Sequence, residues 1–255
     1  MPAHRRVRHT TRFNCQVRIS SYIRGRPIPF LYGAMIFSLV ALLPLPPLLQ
    51  DQHYHQFADQ RELFGIPNFW NVVSNLPFIA VGLAGLRRFH HDPTTVVLFA
   101  GLFLTGLGSS YYHLAPSDGT LFWDRLPMTL CFAAILAAVV EERVDARAGS
   151  MLLVPMLVIG IFSLLLWRWT DDLRLYAWAQ FFPLSVLITI LSFFPPKYTG
   201  WRSWIAAAAF YVLAKAFEYF DEAIFSFGGI VSGHTLKHLA AATAGFAVLR
   251  LFEMR

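Results

Sequence analysis

Residues 121–140 read LFWDRLPMTLCFAAILAAVV, and this stretch decides the fold. Its length matches the roughly 20 residues a helix needs to cross a bilayer. Only Asp124 and Arg125 interrupt the apolar run, both near its start. The run is continuous rather than alternating, unlike a barrel strand, and lipid accepts only helices or closed barrels. It therefore predicts a membrane helix with an ionisable residue near one end. Such a residue is costly at that depth and marks a functional position.

The sequence has the same texture on either side. Further spans are predicted over Phe30–Leu49, Phe69–Leu86, Thr94–Tyr112, Met151–Trp167, Leu175–Phe194, Trp204–Phe220 and Ile230–Leu251. Hydrophobic residues make up 56% of the chain and charged residues 14%, against the quarter or so charged in a soluble domain. The expected class is an all-α integral membrane protein. A seven-transmembrane-helix bundle covers about residues 69–251, with an additional N-terminal hydrophobic helix.

The loops carry the orientation. Arg5, Arg6, Arg8, Arg12, Arg18, Arg24 and Arg26 precede the first acid, Asp51. Arg87, Arg88, Arg143, Arg147, Lys197, Arg202, Arg250 and Arg255 fall in alternate loops or after the last span. Asp51, Asp59, Glu62, Asp118, Asp171, Asp172, Asp221 and Glu222 fall in the others. Basic loops stay inside, so both termini are expected in the cytoplasm. The positives sit in short inter-span loops, which gives no reason to expect a nucleic-acid partner. Residues 1–29 read as a disordered basic tail and 50–67 as an outer loop, with one seven-span domain over 68–252. Residues 30–49 read as an uncleaved anchor, because Leu43-Pro44-Leu45-Pro46-Pro47 makes a poor cleavage site. Cys15 and Cys131 read as free thiols.

With this topology His113, Asp124, His234 and His238 share one depth, near the outer leaflet. Ser109 and His113 stand at i and i+4, as do His234 and His238, so each pair lies on one helix face. Pro116 and the turn Ser117-Asp118-Gly119 return the chain so that Asp124 comes back beside His113. Three imidazoles with a carboxylate nearby describe a catalytic zinc site, with one ion per chain and one open position for water. Asp124 would take the water's proton. Ser109 would donate to an oxyanion, or either residue would orient an imidazole. A scissile bond at this depth belongs to a membrane lipid, as an amide or an ester.

Other polar residues have plainer readings. His53, His55, His90 and His91 fall in loops and read as interfacial. Lys215 and Glu218, at i and i+3, read as an intramembrane ion pair, and Asp221 and Glu222 as a solvated acidic loop. Tyr111, Tyr112, Trp123, Trp167, Trp169 and Trp178 read as aromatic-belt anchors. A receptor with a structural, closed zinc site and a haem carrier with paired histidines are the non-hydrolase alternatives. The haem reading leaves Ser109 and Asp124 without a role.

The pattern Ser109-x-x-x-His113, Asp124, His234-x-x-x-His238 resembles that of the alkaline ceramidases. These belong to a superfamily of seven-span hydrolases that includes the adiponectin receptors. The segment Asn68-Phe69-Trp70-Asn71-Val72-Val73-Ser74-Asn75 is similar to the family's opening motif, and the resemblance covers Asn68 to Leu251. It implies a seven-helix bundle with zinc on His113, His234 and His238, and Ser109 and Asp124 as catalytic helpers. The implied reaction is hydrolysis of ceramide to a sphingoid base and a fatty acid. A phospholipid or other ester is the alternative substrate. The chain departs from the pattern of eukaryotic members at Asn68, which stands where the last acidic ligand of a calcium-binding segment would be. Calcium is therefore not expected.

Overall fold

The computed structural model describes Ser21, Ile23 and residues 25–254. Cys15 and the arginine-rich tail as far as residue 20 lie outside the described residues. The described residues form α-helices and two short 3-10 turns, with no strand. Helix α1 is Pro27–Val40, α2 Phe69–Val73, α3 Leu76–Arg88, α4 Pro93–Leu114, α5 Asp118–Arg143 and α6 Ala146–Thr170. Helix α7 is Arg174–Phe193, α8 Arg202–Tyr219, α9 Asp221–Ser226 and α10 Gly233–Glu253.

Among the described residues, five segments are long and apolar enough to cross a membrane: Phe69–Arg88, α4, α5, α6 and α7. Helices α8 and α10 are of similar length, 18 and 21 residues, but carry Lys215, Glu218, Lys237 and two histidines inside them. The result is an all-α membrane bundle. The second predicted span is broken at Ser74 and Asn75, where α2 gives way to α3. The first predicted span stops at Val40 rather than Leu49. Pro44, Pro46 and Pro47 cannot continue a helix, and the chain runs extended into the 50–67 loop.

The local signals set the helix starts. Asp92, Ser117, Asp145 and Ser232 each accept a backbone N–H of the following turn, the preferred N-cap arrangement. Ser117 and Thr120 form a reciprocal capping box. That box closes the tight α4–α5 hairpin and returns Asp124 towards His113.

Helix α5 runs through the core. Ala133, Ala134, Ala137, Ala138, Val139 and Val140 on it are fully buried, and small residues of this kind let membrane helices approach closely. Gly108 shows how close: a Cβ there would run into the Trp123 carbonyl of α5. Gly233 likewise lets the start of α10 sit against the Phe217 carbonyl of α8. Both glycines neighbour residues of the histidine site. Of the residues expected in the aromatic belts, Tyr111, Trp123 and Trp169 are exposed, but Tyr112, Trp167 and Trp178 are buried. The correction has a physical basis. The Tyr112 hydroxyl meets His55 Nδ1 at 2.9 Å, Trp178 Nε1 donates to Ser38 Oγ at 2.9 Å, and Trp167 lies under Arg125.

Candidate metal centre at one end of the bundle

His113 lies in the last turn of α4, and His234 and His238 in the first two turns of α10. The three rings form an even triangle, with centroids 4.9 Å apart in every pair. Each offers a nitrogen within 4.8 Å of the others, and all three residues are buried.

The protonation of His238 follows from its neighbours. Ser74 Oγ donates to the Asn71 carbonyl at 3.2 Å and lies 2.8 Å from His238 Nδ1. With its proton so used, the hydroxyl accepts, and Nδ1 is the protonated nitrogen. Nε2 then turns a lone pair towards His113 Nε2, 3.3 Å away. Two nitrogens at about 2.0–2.1 Å from one tetrahedral ion would lie about 3.3 Å apart. His234 Nε2 is buried with no hydrogen-bond partner, although buried polar atoms are normally satisfied. This orphaned nitrogen, beside the facing Nε2 atoms of His113 and His238, fits a metal ion.

The surrounding residues fix the triangle. Asn68 adopts the left-handed conformation with φ of 48°, and its Nδ2 donates to the His113 carbonyl at 2.9 Å. Asn71 is fully buried. Its Nδ2 donates to the Asp59 carbonyl at 3.2 Å and its Oδ1 accepts from Thr235 Oγ1 at 3.0 Å. Asp221 accepts from the His234 backbone N at 2.6 Å and from Ala58 N at 3.0 Å. It thus ties the 50–67 segment to the start of α10, and is more than part of a solvated acidic loop. Phe57, from that segment, rests on His113 and His234 with centroid distances of 4.6 and 4.7 Å. His55 joins Asp118 at 3.0 Å on its other nitrogen. The predicted outer loop is therefore a strap over the histidines.

Ser74 offers a direct test of this support. Ser74→Ala removes the acceptor for His238 Nδ1, and changes of this kind typically weaken metal affinity by about 10–100-fold. Metal titration of the variant is expected to show that shift with the helical content unchanged. An unchanged affinity would mean that Ser74 does not orient the ring.

Asp124 and Ser109 are both buried. They share a cavity of about 220 Å³ with His238. On its wall Glu218 accepts from Lys215 Nζ at 2.7 Å, Lys237 Nζ at 2.9 Å and the Tyr54 hydroxyl at 3.1 Å. The expected Lys215–Glu218 pair is present, but Lys237 makes it a three-charge cluster. An apolar cavity of about 120 Å³ adjoins this one, and Phe78, Thr105, Met128, Tyr211 and Ala241 line both. Sequence reading missed Phe57, Lys237 and the Asn71–Ser74 pair as parts of this site. Only the last pair had a local signal. Asn71, Ser74 and Asn75 fall at i, i+3 and i+4 in an apolar segment and so share one face.

Helices that cross a membrane and converge at one end on three buried imidazoles define a membrane-embedded protein with a histidine group that could hold a metal ion. A family model described as ceramidase matches residues 65–214. The chain belongs to the ceramidase family, and is accordingly a hydrolase. It is similar to an alkaline ceramidase of Caenorhabditis briggsae, 27% identical over 212 residues, covering 74% of this chain and 75% of the relative. An alkaline ceramidase of Caenorhabditis elegans is 26% identical over 216 residues, again covering 74% and 75%.

Proposed function

We propose that the protein is a zinc-dependent amide hydrolase that cleaves ceramide or a related N-acyl lipid within the membrane. The observation that carries this is the triangle of buried imidazoles, set beside a cavity that holds a buried carboxylate and hydroxyl. The family membership and the curated relatives' names supply the lipid amide. The adjoining apolar cavity suits an acyl chain.

His113, His234 and His238 would hold the zinc. When bound there, zinc supplies Lewis acidity and brings the pKa of a water towards about 7. Asp124 accepts the proton as the water oxygen bonds to the amide carbon, and returns it to the nitrogen as the C–N bond breaks. The products are a fatty acid and a sphingoid base or other amine. The Ser109 hydroxyl, on the wall of the same cavity, donates to the developing oxyanion. Phe57 and the strap keep bulk water away from the histidines. The Lys and Arg residues of the loops at the opposite end support an outer-leaflet position for this end, with both termini in the cytoplasm.

The test uses the full chain purified in detergent, with its metal content measured and with ceramide, a phospholipid and a simple fatty-acid ester offered separately. About one zinc per chain and fatty acid released from ceramide are expected. Ester cleavage with ceramide left intact would overturn the amide assignment, and a metal-free active protein would overturn the zinc.

A further inference from the structure

Arg125 is the residue of the decisive 121–140 stretch that the proposed reaction leaves without a task. It follows Asp124 on α5, is 7% exposed, and lines the same cavity. Its guanidinium lies between the rings of Trp167, Tyr176 and Tyr54, at 4.8, 5.0 and 5.4 Å. Its Nη1 is buried without a hydrogen-bond partner, and no carboxylate forms a salt bridge with it among the described residues. The other two cations of the cavity, Lys215 and Lys237, are both engaged by Glu218. Arginine, lysine and carboxylate side chains on the wall amount to three cations against two carboxylates, Asp124 and Glu218.

An unpaired buried charge is strongly unfavourable, and lysine would shed it where arginine cannot. The aromatic faces offset part of that cost but accept none of the guanidinium protons in line. An oxyanion does, through two parallel N–H donors, with roughly twice the strength of a neutral hydrogen bond. Position narrows its source. Trp167 is in the last turn of α6, Tyr176 in the first turn of α7 and Tyr54 in the strap. Arg125 is therefore at the helix-end level, where a lipid's polar end lies, whereas the acyl chain points into the apolar cavity. We infer that Arg125 binds an anionic group (phosphate, sulfonate or carboxylate) on the polar end of the N-acyl lipid, so that the preferred substrates are anionic relatives of ceramide. This rests on the amide-hydrolase reading above and narrows its substrate class.

The experiment compares ceramide with the same ceramide carrying a phosphate on its primary hydroxyl, using the full chain and Arg125→Gln and Arg125→Lys. The intact protein is expected to show a kcat/KM at least about tenfold higher for the phosphorylated lipid, the scale of one hydrogen bond to a charged group. Arg125→Gln should bring that ratio close to one, and Arg125→Lys should restore part of it. A purely structural Arg125 would lower both rates together and leave the ratio unchanged, which would overturn the inference. So would a preference for the neutral lipid.

Thermal stabilisation by each lipid separates the inference from the reaction on which it rests. If neither lipid is cleaved, the hydrolase reading has failed. A larger stabilisation by the phosphorylated lipid that disappears in Arg125→Gln would still establish the anion site, and equal shifts would refute it. Free palmitate, tested alone, covers the other source of an oxyanion. Arg125-dependent stabilisation by palmitate, without a gain from the phosphate, would assign the site to the released fatty acid and overturn the substrate claim.

Discussion

His238→Ala protein is expected to retain no metal and to hydrolyse lipid at least about a thousandfold more slowly, since a bound metal contributes several kcal/mol to the transition state. His238 is the best-fixed corner of the triangle. Ser74 and Asn71 set its protonated nitrogen, and its other nitrogen faces His113 at 3.3 Å. Removing it leaves two nitrogens on opposite helices and no tetrahedral set. His113→Ala and His234→Ala should behave alike. His53→Ala is the control, because His53 lies in the strap and its ring pairs with Gln56 at 3.3 Å. The readouts are metal per chain by elemental analysis and the melting temperature in detergent. Full metal retention in His238→Ala would remove that residue from the proposed ligand set, whatever happened to the activity.

Much of this arrangement can be read from the sequence, for a reason of parity. Once the spans are marked, each loop falls at one end or the other, and His113, Asp124 and His234 must share an end. Pro116 and the turn Ser117-Asp118-Gly119 mark the α4–α5 hairpin in the sequence itself. Helical spacing likewise pairs His234 with His238. What the sequence could not show are contacts made across the fold by residues with no periodic relation. Phe57 reaches His113 and His234 from a loop with no apolar periodicity to mark it. Lys237 joins Glu218 from a different helix, whereas spacing offers Glu218 only Lys215. Arg125 gives no local sign that three rings, from three separate elements, surround it. The buried Tyr112, Trp167 and Trp178 make the same point. An aromatic residue near a span end reads as an interfacial anchor, and only the neighbouring elements decide whether it faces lipid or protein.

Asp124→Asn separates chemistry from metal binding. The substitution keeps the shape of the side chain, so the cavity and the α4–α5 contact should persist. Asp124 is not part of the histidine triangle, so the metal content should stay at the level of the unaltered protein. An amide cannot take a proton from water, however, and loss of a general base typically costs about 10²–10⁴-fold in rate. The expected result is a protein with full metal, an unchanged melting temperature and a kcat lower by that factor, with KM close to its original value. Loss of metal as well would make Asp124 a support of the imidazoles rather than the base. Full activity would move proton transfer to another group of the same cavity. Glu218 is the remaining carboxylate there, and Glu218→Gln would then be the variant to measure. Its present engagement by two lysines and a tyrosine hydroxyl argues against that role, because a carboxylate so stabilised in its charged form is a weak base.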